Sequence, residues 1–224
     1  MGRAIRRLSP MAEFAIVMVL AFGYFITASL WLALHQVAHN YHSGGSVIGL
    51  AAYELLLMAL LFPFLRLRGW TWAKIGLAPS VSDTGFGLLL FVATYAVWLL
   101  VWRLTAILAP SVASTMSSVQ VIAPGIGIPV AVVVALINPV FEEVFVAGYL
   151  ITALRANHSP LFALNVSVAV RLLYHLYQGP LGVMVTVPMG LIFASWYVQR
   201  GKLWPLIVAH VLLDLVGLLT YAKF

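Results

Sequence analysis

The run Asn138-Pro139-Val140-Phe141-Glu142-Glu143-Val144-Phe145-Val146-Ala147-Gly148-Tyr149 decides how this chain is read, because it sets two adjacent carboxylates inside an apolar stretch long enough to cross a bilayer. A carboxylate at mid-membrane costs several kcal/mol, so an intramembrane Glu marks a functional site by default. Neighbouring helical positions differ by about 100°. The two side chains are therefore expected to diverge, one facing a reaction space and the other paired or protonated. Pro139 removes a backbone hydrogen bond just ahead of them and is expected to bend the helix and open room beside the pair.

Working outward, 63% of the 224 residues are hydrophobic and 8% are charged, with a mean hydropathy of +1.06. That composition describes an all-α, polytopic membrane bundle. The net charge of +6 lies in short connections rather than along a face that follows nucleic acid, so it reads as topology and no nucleic-acid partner is expected. With no cysteine, disulfides, thiolate nucleophiles and Cys-based metal sites are excluded.

Seven spans are expected, at about 14–34, 47–65, 84–104, 126–154, 161–176, 181–198 and 203–221. The first follows Arg3, Arg6 and Arg7 like a signal sequence, but it is longer than a signal's apolar core and lacks a clear cleavage site, so it reads as uncleaved. Nine basic residues fall on the N-terminal side of this topology (Arg3, Arg6, Arg7, Arg66, Arg68, Lys74, Arg155, Arg200, Lys202) and two on the other (Arg103, Lys223). The N-terminus is therefore placed in the cytoplasm and the protein in the inner (plasma) membrane. Arg68-Gly69-Trp70-Thr71-Trp72-Ala73-Lys74 reads as an interfacial anchor with both tryptophans at headgroup level. The uncharged loop from about 109 to 124 separates front spans (1–110) from working spans (126–221) within one membrane domain covering 1–224. The last four spans are expected to form the active-site chamber.

Further polar groups lie in those spans: Arg171 and His175 in the fifth, His210 and Asp214 in the seventh, each pair spaced i, i+4 and so on one helix face. Measured from a shared turn near Asn157 at about 1.5 Å per residue, Glu142, Arg171 and His175 lie roughly 22, 21 and 27 Å away, at one level. His210 joins that layer only if the two hairpins protrude unequally.

These residues resemble the CAAX prenyl proteases and their bacterial relatives, the intramembrane glutamic endopeptidases also linked to bacteriocin processing and immunity. The family pattern is Glu-Glu-x-x-x-Arg, then Phe-x-x-x-His, then His-x-x-x-Asn/Asp. Glu142 and Glu143, His175, and His210 with Asp214 match it, supported by Gly190-Leu191-Ile192 and Gly201-Lys202-Leu203-Trp204-Pro205. The resemblance covers about 138–217 and departs at two positions, where Ala147 stands for the arginine and Arg171 for the phenylalanine.

The resemblance implies hydrolysis of a peptide bond in a membrane-associated, prenylated or otherwise lipidated substrate. Peptide hydrolysis needs an activated water, an acid for the leaving amine and donors for the oxyanion. Glu142 is then the base, His175 positions the same water, His210 and Asp214 stabilise the oxyanion, and Glu143 is structural or electrostatic. Arg171 is expected to replace the missing arginine by a bidentate bond to Glu143, leaving Glu142 free. The spacing alone also allows a zinc ion on Glu142, His175 and His210. The resemblance implies the form without metal or other cofactor.

Other readings stand beside this one. A non-catalytic immunity or binding protein that kept the fold fits the missing arginine, and a proton-coupled transporter fits buried carboxylates and histidines, though no inverted repeat is visible. His35, His39 and His42 read as interfacial polar residues before metal ligands. Glu54, mid-span with no evident partner, is divided between a structural hydrogen bond and a substrate path. Asn157-His158-Ser159 matches a glycosylation acceptor by coincidence, on the cytoplasmic side.

Overall fold

The computed structural model of this chain describes residues 7–35, 44–118 and 126–220. Among these described residues eight helices follow in order: α1 Pro10–Leu34, α2 Gly44–Leu67, α3 Val81–Leu108, the short α4 Pro110–Ser118, α5 Ile128–Leu154, α6 Pro160–Leu173, α7 Gly179–Arg200 and α8 Trp204–Leu219. Their starts are written in the chain. Ser9, Ser80 and Ser159 each accept from a backbone N–H three residues on, and proline follows the first and third. Ser159 of the apparent glycosylation acceptor is thus the N-cap of α6.

Among the described residues, five helical stretches are long and apolar enough to cross a bilayer: α1, residues Gly45–Leu67 of α2, α3, α5, and Leu176–Arg200, which contains α7. The fifth and seventh expected spans are shorter, α6 with 14 residues and α8 with 16. At 1.5 Å per residue they reach about 21 and 24 Å, less than the roughly 30 Å hydrocarbon layer. Large apolar side chains such as Val19, Leu60, Leu89, Leu100 and Leu136 face outward, as lipid contact requires. The protein is a membrane-embedded helix bundle.

The axis of the bundle is α5. Its apolar window is 61% buried, against 39% or less for the other four. Helix α2 packs along it on one side and α8 on another, α6 pairs with α7, and α3 crosses both α7 and α8. The crossing of α3 and α8 depends on Gly87, where a Cβ would lie 2.6 Å from the Cβ of Val208.

A polar node ties the start of α1 to this axis. Glu13 is buried; its carboxylate accepts from Arg68 Nε at 2.6 Å, Trp70 Nε1 at 2.7 Å and the Tyr149 hydroxyl at 3.3 Å. Trp70 is buried beneath Lys74, whose ammonium lies 4.0 Å from its ring centroid, and Trp72 is the more exposed of the two tryptophans. The indole N–H faces a buried carboxylate, which holds the ring inward. Downstream, Gly76 (φ 67°) lies against the carbonyl of Gly201 and accepts from Leu203 N at 3.0 Å, joining this loop to the α7–α8 turn.

Glu13→Ala removes the acceptor of a buried indole and the counter-charge of Arg68 together. A loss of about 3–5 kcal/mol is expected. Thermal unfolding in detergent checks it, and an unchanged midpoint would show the node to be incidental.

Candidate active site

The α5 axis changes character where the carboxylates begin. Ile128–Glu142 is α-helical, Glu143–Tyr149 is a π-helix and Leu150–Leu154 returns to α. Widened turns of this kind concentrate at functional sites. All seven π residues are buried. Two hydroxyls from neighbouring helices meet carbonyls of this segment: Ser167 donates to Val146 O at 2.8 Å, and the Tyr197 hydroxyl is shared between Gly148 O at 3.2 Å and Ile75 O at 3.0 Å. The expected divergence of Glu142 and Glu143 does not occur. Both carboxylates meet the same partner.

That partner is Arg171, in the last turn of α6 and 1% exposed. Its Nη2 donates to both oxygens of Glu143, at 2.8 and 2.9 Å, and its Nη1 donates to Glu142 Oε2 at 3.0 Å. The level count placed Arg171 beside the pair, and the guanidinium indeed bonds Glu143 through both oxygens. Glu142, however, is not left free. Its Oε2 also accepts from the Tyr174 hydroxyl at 2.7 Å. Its Oε1 receives only a longer contact, 3.3 Å from Asn138 Nδ2.

His175 lies just beyond the end of α6, in a turn that leads through Leu176–Gln178 to α7. The last carbonyls of a helix lack intrahelical partners. His175 Nδ1 meets one of them, Arg171 O, at 2.9 Å. A carbonyl only accepts, so Nδ1 carries the hydrogen and Nε2 is left with its lone pair when the ring is neutral. On α8, His210 reaches the layer whose level was open: its Nδ1 lies 2.7 Å from Glu143 Oε1. Asp214 is 3.6 Å from His210 Nε2, an ion-pair distance beyond hydrogen-bond reach. Ala147 is buried and offers no polar group.

Three site neighbours went unread in the sequence: Tyr174, Asn138 and the link from Asn138 to Glu54. The signal was present, since Tyr174 is three residues from Arg171 and Asn138 four from Glu142, both spacings that share a helix face. Glu54, buried on α2, has Asn138 Nδ2 at 2.7 Å from its Oε1. His35 is exposed and its ring bonds the carbonyl of Trp31, while His39 and His42 lie outside the described residues.

Among the described residues, the group with donor atoms close enough to share a cation is Glu142, Glu143 and His210, within 4.8 Å of one another. His175 does not belong to it. A guanidinium already lies against both carboxylates, so a metal there would compete with Arg171 for the same oxygens. Arg171→Ala leaves two adjacent buried carboxylates without their cation and is expected to cost about 3–5 kcal/mol. Arg171→Lys, which lacks the planar fork, recovers only part of that. Unfolding of the two variants in detergent checks the order.

Compared with known proteins, the chain matches the model of one family, described as type II CAAX prenyl endopeptidase, Rce1-like, over residues 124–216. Neither a curated protein nor a solved structure gave a match. The matched segment contains Glu142, Glu143, Arg171, His175, His210 and Asp214, and over these residues the chain is similar to that family.

Proposed function

We propose that the protein is an intramembrane endopeptidase that hydrolyses a peptide bond of a membrane-associated or lipidated peptide with water activated by Glu142. The observation that carries this reading is the asymmetry of that carboxylate: Oε2 is held by Arg171 and Tyr174, while Oε1 keeps acceptor capacity in a buried site. An anchored carboxylate with one available oxygen is the form a general base takes.

In the proposed reaction, water bound between Glu142 Oε1 and His175 Nε2 attacks the scissile carbonyl carbon and gives its proton to Glu142. The tetrahedral oxyanion is held by His210 Nε2 once that nitrogen carries a proton, with Asp214 beside it. Collapse breaks the C–N bond, and the proton held by Glu142 passes to the leaving amine. Glu143 and Arg171 do not touch the substrate in this scheme; they offset each other's charge and orient Glu142 and His210. The guanidinium supplies the positive charge that a metal would otherwise bring, which supports a metal-free mechanism over zinc on Glu142, His175 and His210. A membrane-associated or lipidated substrate suits a site built within apolar helices.

Glu142→Gln, His175→Ala and His210→Ala are each expected to lower turnover of an internally quenched lipidated peptide at least about 100-fold in folded, purified protein. Undiminished turnover in any one removes that residue from the scheme. If a strong chelator abolishes wild-type activity and zinc restores it, the metal-free form is wrong. If no variant changes a binding function that the protein is found to have, the non-catalytic reading takes its place.

We also propose that the N-terminus is cytoplasmic in the plasma membrane, on the nine-to-two distribution of basic residues. A reporter inserted near His158 should then read cytoplasmic and one fused after Phe224 the opposite side. Equal readings would mean that a shorter helix does not cross.

A further inference from the structure

We propose that Glu54 and Asn138 are positioning residues that set the reactive oxygen of Glu142. The inference rests on Glu142 being the base. Glu54 is 2% exposed in the middle of α2, and among the described residues no basic side chain pairs with it. Each of the other five acidic residues has a cationic or ionisable partner: Glu13 with Arg68, Asp83 with Lys202, Glu142 and Glu143 with Arg171, Asp214 with His210. A carboxyl group at this depth is costly. Glu54 has instead one amide, the Nδ2 of Asn138 at 2.7 Å from Oε1, and its Oε2 has no partner.

Asn138 is the residue through which Glu54 can act. An amide nitrogen carries two hydrogens. One points at Glu54 Oε1 and the other, at 3.3 Å, at Glu142 Oε1. Both neighbours present acceptor oxygens to the nitrogen, and the shorter bond, to Glu54, holds the amide in place. Without Glu54, the amide keeps only the 3.3 Å contact to Glu142 and loses the shorter bond that fixes its position. The two oxygens of Glu142 are thereby made unequal. Oε2 is filled by Arg171 and Tyr174, and Oε1 is steered by one long donor contact that leaves a lone pair for water. Small misplacements of a catalytic group can cost about 100-fold in rate.

Three variants test this on an internally quenched lipidated peptide that the wild type cleaves. Glu54→Leu should lower kcat about 10- to 100-fold with KM within about twofold. Glu54→Gln, whose carbonyl still accepts from Asn138, should recover most of that rate. The exchange Glu54→Gln with Asn138→Asp keeps an amide-to-carboxylate bond between the two positions but leaves no donor toward Glu142. It sets a carboxylate beside Glu142 in place of the donor and should stay as slow as Glu54→Leu, with some loss of stability from the added charge. Wild-type kcat in Glu54→Leu or in the exchange overturns the proposal, and the exchange keeps the test open if the leucine variant does not fold. Active Glu142→Gln would mean that the base assignment had failed. Inactive Glu142→Gln beside fully active Glu54→Leu would overturn only the positioning role.

Discussion

The guanidinium of Arg171 against Glu142 and Glu143 is the contact on which the rest of the bundle depends. Two adjacent carboxylates within an apolar helix repel each other and lose their hydration, and each penalty alone is several kcal/mol. One arginine answers both because its planar fork presents separate nitrogens in fixed directions, Nη2 to Glu143 and Nη1 to Glu142. The two long side chains reach it from consecutive helical positions, which differ by about 100°. The π-helix that starts at Glu143 lies beside this cluster, and its carbonyls meet the hydroxyls of Ser167 and Tyr197 from α6 and α7.

The helices before the matched segment close this arrangement. Glu13 on α1 accepts from Tyr149, the last π residue, and Phe22 of α1 stacks on Tyr174 with ring centroids 5.2 Å apart. Glu54 on α2 reaches Glu142 through Asn138. On α3, Asp83 pairs with Lys202 at 2.6 Å, but the lysine side chain is 51% exposed, so that contact contributes little energy and mainly registers α3 beside the α7–α8 turn. The six acidic residues of a chain with only 8% charge are therefore all placed in polar contacts.

Much of this was legible because membrane helices obey simple rules of length and level. Apolar run lengths place the long helices, and a rise of about 1.5 Å per residue from a shared turn puts Arg171 opposite the carboxylates. The level of His210 was not legible, since it depends on how far two hairpins protrude relative to each other, a tertiary quantity. The π-helix was not either. The proline ahead of it signals a bend, but a change of hydrogen-bond register is decided by which outside hydroxyls receive the released carbonyls. The bond that holds Trp70 was not legible for a related reason: only the fold brings Glu13, 57 residues upstream, to its indole.

The break after α6 follows from the same accounting. By length, α6 cannot cross the hydrocarbon layer alone, and non-helical backbone at that depth survives only where protein or a water-filled cavity satisfies it. Here the ring of His175 caps Arg171 O and the backbone N–H of Tyr177 bonds Ser29 Oγ of α1, after which Gly179 turns the chain at φ 59° into α7. The capping bond fixes the histidine tautomer, and the helix end holds the ring beside the carboxylate layer. The irregularity that makes α6 too short to span is therefore also what brings an imidazole nitrogen, free of its own backbone, to the level where Glu142 keeps one oxygen available.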